Sequence, residues 1–328
     1  MNDKMSVILK GIAMGMAEVI PGVSGGTIAF ITGIYQRLLN AIKEIDGKAL
    51  RLLISGKWKE FMNKIDGYFL LFLLTGMATG LLSGVFIITY LIKNHIEPLW
   101  GFFTGLIIAS AIYIAKMIKK WNLTRFLFLL LGILIAYFIV VMHPLQGSRA
   151  YWYVFLSGLI AISALIMPGI SGSFMLLILG MYTIIIPEVK HLLTTGSIDS
   201  LLLLVVFALG MLTGLFTFAR IMSWAFKHHE QNTLVLLTGF MIGSLYKIWP
   251  WRMPVTWIDK HTGKIFSQID NIKDFSQSDI TVLSDKPVLP QDYTIGDPQT
   301  AIVILAAVIG FAIVFLLERY QNKKPVQK

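Results

Sequence analysis

Two short phrases hold the residues best equipped for chemistry. The first is "AEVIPGVSGGTIAFITGIY", Ala17 to Tyr35, and the second is "ALIMPGISGSFMLLILGMY", Ala164 to Tyr182. Each sits in an apolar run and breaks it with Pro-Gly: Pro21 and Gly22 in one, Pro168 and Gly169 in the other. Proline and glycine interrupt a helix and leave unpaired N–H groups at the start of the half-helix that follows. Those N–H groups, with the positive end of the helix dipole, suit an anion. Here they would come from Gly25, Gly26 and Gly172, and Ser24, Thr27, Ser171 and Ser173 add hydroxyl donors without bulk. Two such tips facing each other would form one shared anion site inside a membrane.

Glu18 lies three residues before Pro21, deep in an apolar run, and its counterpart in the second phrase is Leu165. Intramembrane carboxylates are costly and mark functional positions. Glu18 is therefore assigned to carrying a proton, with a structural hydrogen bond to a neighbouring tip as the plainer reading. Arg37 is open to two readings, a cytoplasmic anchor or part of the anion site. Arg220 either snorkels to the interface or grips phosphate with its two-pronged guanidinium. Arg252 ends "KIWPWR" and could gather an anionic headgroup at the surface, although two tryptophans beside a proline mostly read as an interfacial belt. Arg149, beside Tyr151 and Trp152, has the same ambiguity.

An enzyme is the weaker alternative. Gly22-Val-Ser24-Gly25 fits the G-x-S-G phrase of rhomboid-type intramembrane serine proteases, but such a serine needs a base, and no histidine lies in mid-span. No clustered Lys/Arg/His signature of a lipid phosphatase is present either. The absence of cysteine excludes disulfides, thiolate nucleophiles and cysteine zinc sites, and the six scattered histidines have no metal-binding spacing, so no cofactor is expected.

The elements that must hold these residues follow from composition. The chain has 328 residues, 56% of them apolar, with a mean hydropathy of +0.73. That describes an all-α polytopic membrane protein, and the net charge of +10 fits loops facing anionic lipid better than nucleic acid. Six runs are long enough to cross: 68–92, 99–118, 123–142, 200–226, 233–250 and 300–318. The two phrases lie outside this set, as paired short runs spanning 6–42 and 150–187. Each pair is either two full spans or a re-entrant hairpin, and charge does not separate these. Basic residues concentrate in 36–67, 116–125, Lys227 and the tail, which makes those segments cytoplasmic and places both termini inside. Segment 43–66 then reads as an amphipathic helix lying on the cytoplasmic leaflet, and 251–299 as an extracytoplasmic excursion, ordered or flexible.

The chain repeats itself. The two phrases match at an offset of 147, and "GMATGL" at Gly76 matches "GMLTGL" at Gly210 at an offset of 134. "TGLIIAS" at Thr104 matches "TGFMIGS" at Thr238 at the same 134. The glycines at 76, 80, 210 and 214 read as close-packing positions. On the charge-derived topology the matching spans run in opposite directions, giving two inverted halves, 1–142 and 143–328, as in many secondary transporters.

"GMAEVIPGVSGGTIAFITGIYQRLL", "PGISGSFMLLILGMY" and "LTGFMIGSLYKIWPWR" resemble the polyprenyl-phosphate transporters of the PopT type. The resemblance covers about residues 10–252 and offers no landmark in 253–297. It implies movement of undecaprenyl phosphate, the carrier lipid of cell-envelope polymers such as peptidoglycan, across the bacterial cytoplasmic membrane. It favours two opposed re-entrant hairpins, and by carry-over a phosphate site of Glu18, the Pro21–Thr27 phrase, Arg37, the Pro168–Ser173 phrase and Arg252. The expected partners are the polyprenyl phosphate and membrane phospholipid, with no nucleic acid. A secondary transporter of a small anion remains the alternative, since sequence does not reveal whether the site opens sideways to lipid.

Overall fold

The computed structural model describes residues 3–20, 23–142, 144–259, 265–266 and 280–322. It is a helical bundle that carries a small sheet at one end. The first hairpin comprises α1 (Asp3–Glu18) and α2 (Gly25–Ile31), followed by α3 (Tyr35–Lys43). The second comprises α9 (Tyr151–Ile166) and α10 (Gly172–Ile178), followed by α11 (Tyr182–Thr195). Seven helical residues rise only about 10 Å, so neither α2 nor α10 crosses a ~30 Å hydrocarbon core as one helix. Each folds back on the longer helix before it. Both return legs end in a turn at the matching glycines Gly33 (φ +73°) and Gly180 (φ +65°), a left-handed conformation that a side chain disfavours. Beyond Gly180 the chain bends by 102° between α10 and α11.

The long apolar runs become α6 (Gly67–Asn94), α7 (Ile96–Met117), α8 (Leu123–Val141), α12 (Ile198–Ile248) and α13 (Thr300–Asn322). The runs expected at 200–226 and 233–250 form one 51-residue element, and non-helical angles at His229 (φ −136°, ψ 40°) divide it. The stretch 43–66 is not one surface helix. It forms α4 (Gly47–Ile54) and α5 (Trp58–Lys64), separated by Gly56 at φ +69°. Asp46 caps α4 by accepting the Lys48 and Ala49 N–H groups, and these bonds, with Lys64 beside it, hold the Asp46 carboxyl below the usual range. In turn, hydrogen bonds to Glu44 and Asp46 push the Lys64 ammonium up.

Small residues set the helix pairs. α1 packs on α6 and α9 on α12, with α7 against α13 and α8 against α12. A side chain on Gly105 of α7 would run into the Ala307 carbonyl of α13, and one on Gly239 of α12 into the Leu129 carbonyl of α8. Gly105 and Gly239 are related by the offset of 134, so matching glycines make matching backbone approaches. Each pair joins a helix from before residue 142 to one from beyond it, which binds the two stretches together through their third long helices.

Among the described residues after α12, β1 (Arg252–Asp259), β2 (Ile265–Phe266) and β3 (Ile280–Pro287) form an antiparallel sheet in the order β2-β1-β3. The two tryptophans serve this segment. Trp249 Nε1 donates to the Val288 carbonyl at 2.7 Å and Trp251 Nε1 to the Pro298 carbonyl at 2.8 Å, and Trp251 is buried. The Trp-Pro-Trp end therefore clamps the excursion onto the bundle, where an interfacial belt was expected.

Candidate functional site

The two hairpin tips meet inside the bundle. Ser24 is the N-cap of α2 and accepts the Gly26 N–H at 3.1 Å. Its hydroxyl also reaches the Leu165 and Met167 carbonyls of the other hairpin, at 3.2 and 3.1 Å. Thr27 Oγ1 accepts the Gly169 N–H at 3.0 Å, and a side chain on Gly26 would collide with the Ile166 carbonyl. Gly169 is at φ +88°, a conformation that aims its N–H at Thr27 and suits glycine alone. Ser24 and Thr27 are buried, so these bonds satisfy polar groups that would otherwise be costly in an apolar interior. Two of the hydroxyls expected to face an anion thus join the tips to each other.

The second tip is arranged differently. Ser171 caps α10 by accepting the Phe174 N–H at 3.5 Å, and its hydroxyl lies 2.9 Å from that of Ser173. Gly172 packs against Ala161 and Leu165 of α9. Pro168 is buried at this tip, whereas Pro21 and Gly22 lie outside the described residues. At the first tip Glu18 Oε1 accepts the Gly25 N–H at 2.7 Å, so the carboxylate supplies one of the missing acceptors at the start of α2. This is the geometry of the plainer reading, a structural bond to the neighbouring tip.

The arginines do not gather at the tips. Arg37 makes a two-pronged ion pair with Asp66, Nε to Oδ2 at 2.6 Å and Nη2 to Oδ1 at 3.1 Å, and stacks over Phe69. Arg220 is exposed on α12 with its guanidinium over Phe216. Arg252 is the exception in kind, being 12% exposed and bonded to the Tyr246 carbonyl and to Asp285. Arg149 pairs with the buried Glu188.

Sequence reasoning passed over three participants. Lys247, the first residue of "KIWPWR", lies 3.8 Å from Asp285 and 5.2 Å from the Phe174 ring centre, one turn from the second tip. It lines a small void with Gly169, Ser171 and Ser244. Its signal was legible: it is the one lysine within the "TGFMIGSLYKIW" run. Asp285 had no signal, because it lies on a strand without periodic or repeated pattern. Burial pushes the Asp285 carboxyl up, but the Arg252 hydrogen bond and the Lys247 and Arg252 charges outweigh it and hold the group below the usual carboxylate range. Lys10 of α1 is the third, donating to the Thr32 carbonyl at 2.7 Å at the far end of α2.

A larger apolar cavity of about 530 Å³ opens beside the first tip, between α1, α2, α6, α7 and α13, with Ala17, Ile20 and Ile28 on its wall. Among the described residues no group of three His, Asp or Glu side chains is gathered to hold a metal ion. The arrangement therefore offers cations and the Ser171 and Ser173 hydroxyls beside apolar space, a combination that suits an amphipathic anion.

Comparison with known proteins agrees with this chemistry. Residues 14–266 match the family described as "VCA0040-like: Undecaprenyl phosphate translocase-like". The chain is 37% identical over 319 residues to the polyprenyl-phosphate transporter of Vibrio cholerae serotype O1, covering 97% of each. It is 33% identical over 258 residues to the polyprenyl-phosphate transporter of Staphylococcus aureus, covering 74% of this chain and 85% of the relative. No solved structure matches it.

Proposed function

The chain belongs to this undecaprenyl phosphate translocase-like family, and on that premise we propose that it moves polyprenyl phosphate carrier lipid between the leaflets of the bacterial cytoplasmic membrane. The observation that carries the reading is the position of Lys247, held over Phe174 beside the second tip and next to Arg252. A phosphate monoester carries between one and two negative charges. Bare in hydrocarbon that charge costs many kcal/mol. Cations at the strand-bearing end, then the Ser171 and Ser173 hydroxyls of the second tip, would lower this cost stepwise. The prenyl chain would remain in apolar surroundings, for which the cavity beside Ala17 and Ile28 provides room.

In this scheme residues 1–142 and 143–328 are inverted halves with re-entrant hairpins, both termini are cytoplasmic, and the strand segment faces outward. The phosphate is captured at the outer end, the halves rock about the joined tips, and the headgroup leaves on the cytoplasmic side, where Arg37 lies. No covalent bond changes, so the protein acts as a transporter and not as an enzyme. Glu18 is a candidate for carrying a proton in the same cycle. The carboxylate's bond to Gly25 gives it a way to couple proton uptake to the tip.

The test is leaflet exchange of a labelled polyprenyl phosphate in proteoliposomes. Wild-type protein should accelerate exchange, and Arg252→Ala should slow it. Wild-type protein that leaves the exchange rate at that of empty liposomes would set the lipid reading aside in favour of a small soluble anion.

A further inference from the structure

Two cavities lie at the strand-bearing end, about 380 Å³ and 300 Å³ in volume. Lys247, Arg252 and Asp285 line both and form the partition between them. Arg252 Nη2 donates to Asp285 Oδ1 at 2.8 Å, and Lys247 Nζ lies 3.8 Å from that same oxygen. Two cations thus share one carboxylate. Arg252 Nε is buried and has no hydrogen-bond partner among the described residues. An excess of positive charge on part-buried side chains and a buried guanidinium N–H without a partner both favour an anion with more charge and more oxygens.

Asp285 lies at a local irregularity of the sheet. It sits on β3 opposite Pro254, next to a register shift between Pro254 and Thr256. Such irregularities re-aim side chains and relax the ladder. The clamps from Trp249 and Trp251 attach at Val288 and Pro298, beyond Asp285, so the segment stays seated when the carboxylate swings away.

We infer that Lys247 and Arg252 form a binding site for a phosphate monoester, and that Asp285 is a built-in competitor that filters headgroups by charge. This rests on the carrier-lipid reading above. A monoester with close to two charges gains more from the two cations than the single carboxylate it displaces. A phosphodiester headgroup of bulk phospholipid carries one charge on its phosphate and gains no such margin. Selectivity then comes from a repulsive element as well as an attractive one. The positions offset by 134 from Lys247 and Arg252 are Tyr113 and Ile118, so the filter belongs to one end of the molecule only.

The experiment uses full-length protein in nanodiscs and proteoliposomes, with a short-chain prenyl phosphate, phosphatidylglycerol and inorganic phosphate as probes. Asp285→Asn should bind the prenyl phosphate about tenfold more tightly and begin to bind phosphatidylglycerol, while Lys247→Gln should bind the prenyl phosphate at least about tenfold more weakly. Asp285→Glu keeps the charge and should keep wild-type selectivity. Unchanged affinity and selectivity in Asp285→Asn would overturn the filter, as would equal effects of the Asn and Glu variants, which would mean that the position acts through strand packing. Inorganic phosphate binding as tightly as the prenyl phosphate, and lost in Lys247→Gln, would support the cation site but assign it to the free anion. Wild-type protein that moves the carrier lipid while Asp285→Asn changes nothing sinks the filter alone. Wild-type protein that neither binds nor moves it sinks the carrier-lipid reading and the filter together.

Discussion

Thr27 Oγ1 accepts the N–H of Gly169 across 142 residues of sequence, and with the Ser24 hydroxyl's bonds to the Leu165 and Met167 carbonyls it makes the two hairpin tips a single hydrogen-bonded object. Both partners are buried, beside the Ser24 hydroxyl and its bonds to the Leu165 and Met167 carbonyls. Thr27→Val keeps the shape and removes the acceptor, which should cost ~1–3 kcal/mol through an unpaired N–H. Thr27→Ser should lose less than half as much. Thermal unfolding in detergent measures both, and equal stabilities for Val and wild type would mean that packing and the Ser24 bonds hold the tips without Thr27.

Glu18 provides a separable case. The Gly25 N–H needs only an oxygen acceptor, so Glu18→Gln should fold with near wild-type stability while Glu18→Leu loses ~1–3 kcal/mol. If Glu18 also carries a proton, the Gln variant should transport with a flattened pH response. A Gln variant whose transport rate and pH profile both match wild type would confine Glu18 to capping the tip.

Helix pairing should be intolerant at the matched glycines. Gly105→Val and Gly239→Val each push a side chain into a backbone carbonyl that cannot yield without separating two long helices. Overpacking of this kind costs ~1–3 kcal/mol or more. Gly47→Val, where nothing lies within 4 Å, should be close to neutral by comparison. Folded yield in membranes and melting temperature in detergent rank the three variants.

The strand-bearing end should respond to acid in a defined direction. Asp285 has a carboxyl held below its unfolded value, so the stability of its ion pairs with Lys247 and Arg252 is fully present above the ordinary carboxylate range near pH 4 and is lost as pH falls through the lowered folded value. Fluorescence of Trp249 and Trp251 should therefore stay constant from neutral pH down to about pH 5 and change only below about pH 4. A transition centred near neutrality would show that a group other than Asp285 titrates beside the tryptophans.

Local chemistry carried much of this protein into its sequence. Apolar runs of sufficient length specified the membrane class and the positions of α6, α7, α8, α12 and α13, because helix rise and bilayer thickness are fixed quantities. Proline and glycine marked both tips, and Gly76, Gly80, Gly210 and Gly214, read as close-packing positions, meet the backbones of α1 and α9. Pairings across the fold were not legible, because a hydroxyl or a guanidinium has the same local sequence whether it faces a ligand or a neighbour. Only tertiary packing turned Ser24 and Thr27 toward the other hairpin, engaged Arg37 with Asp66, and joined the Trp-Pro-Trp end to Val288 and Pro298. Packing also brought Asp285, from an aperiodic strand, between Lys247 and Arg252. Periodicity and composition are properties of neighbours along the chain, whereas an ion pair depends on where two distant segments come to rest.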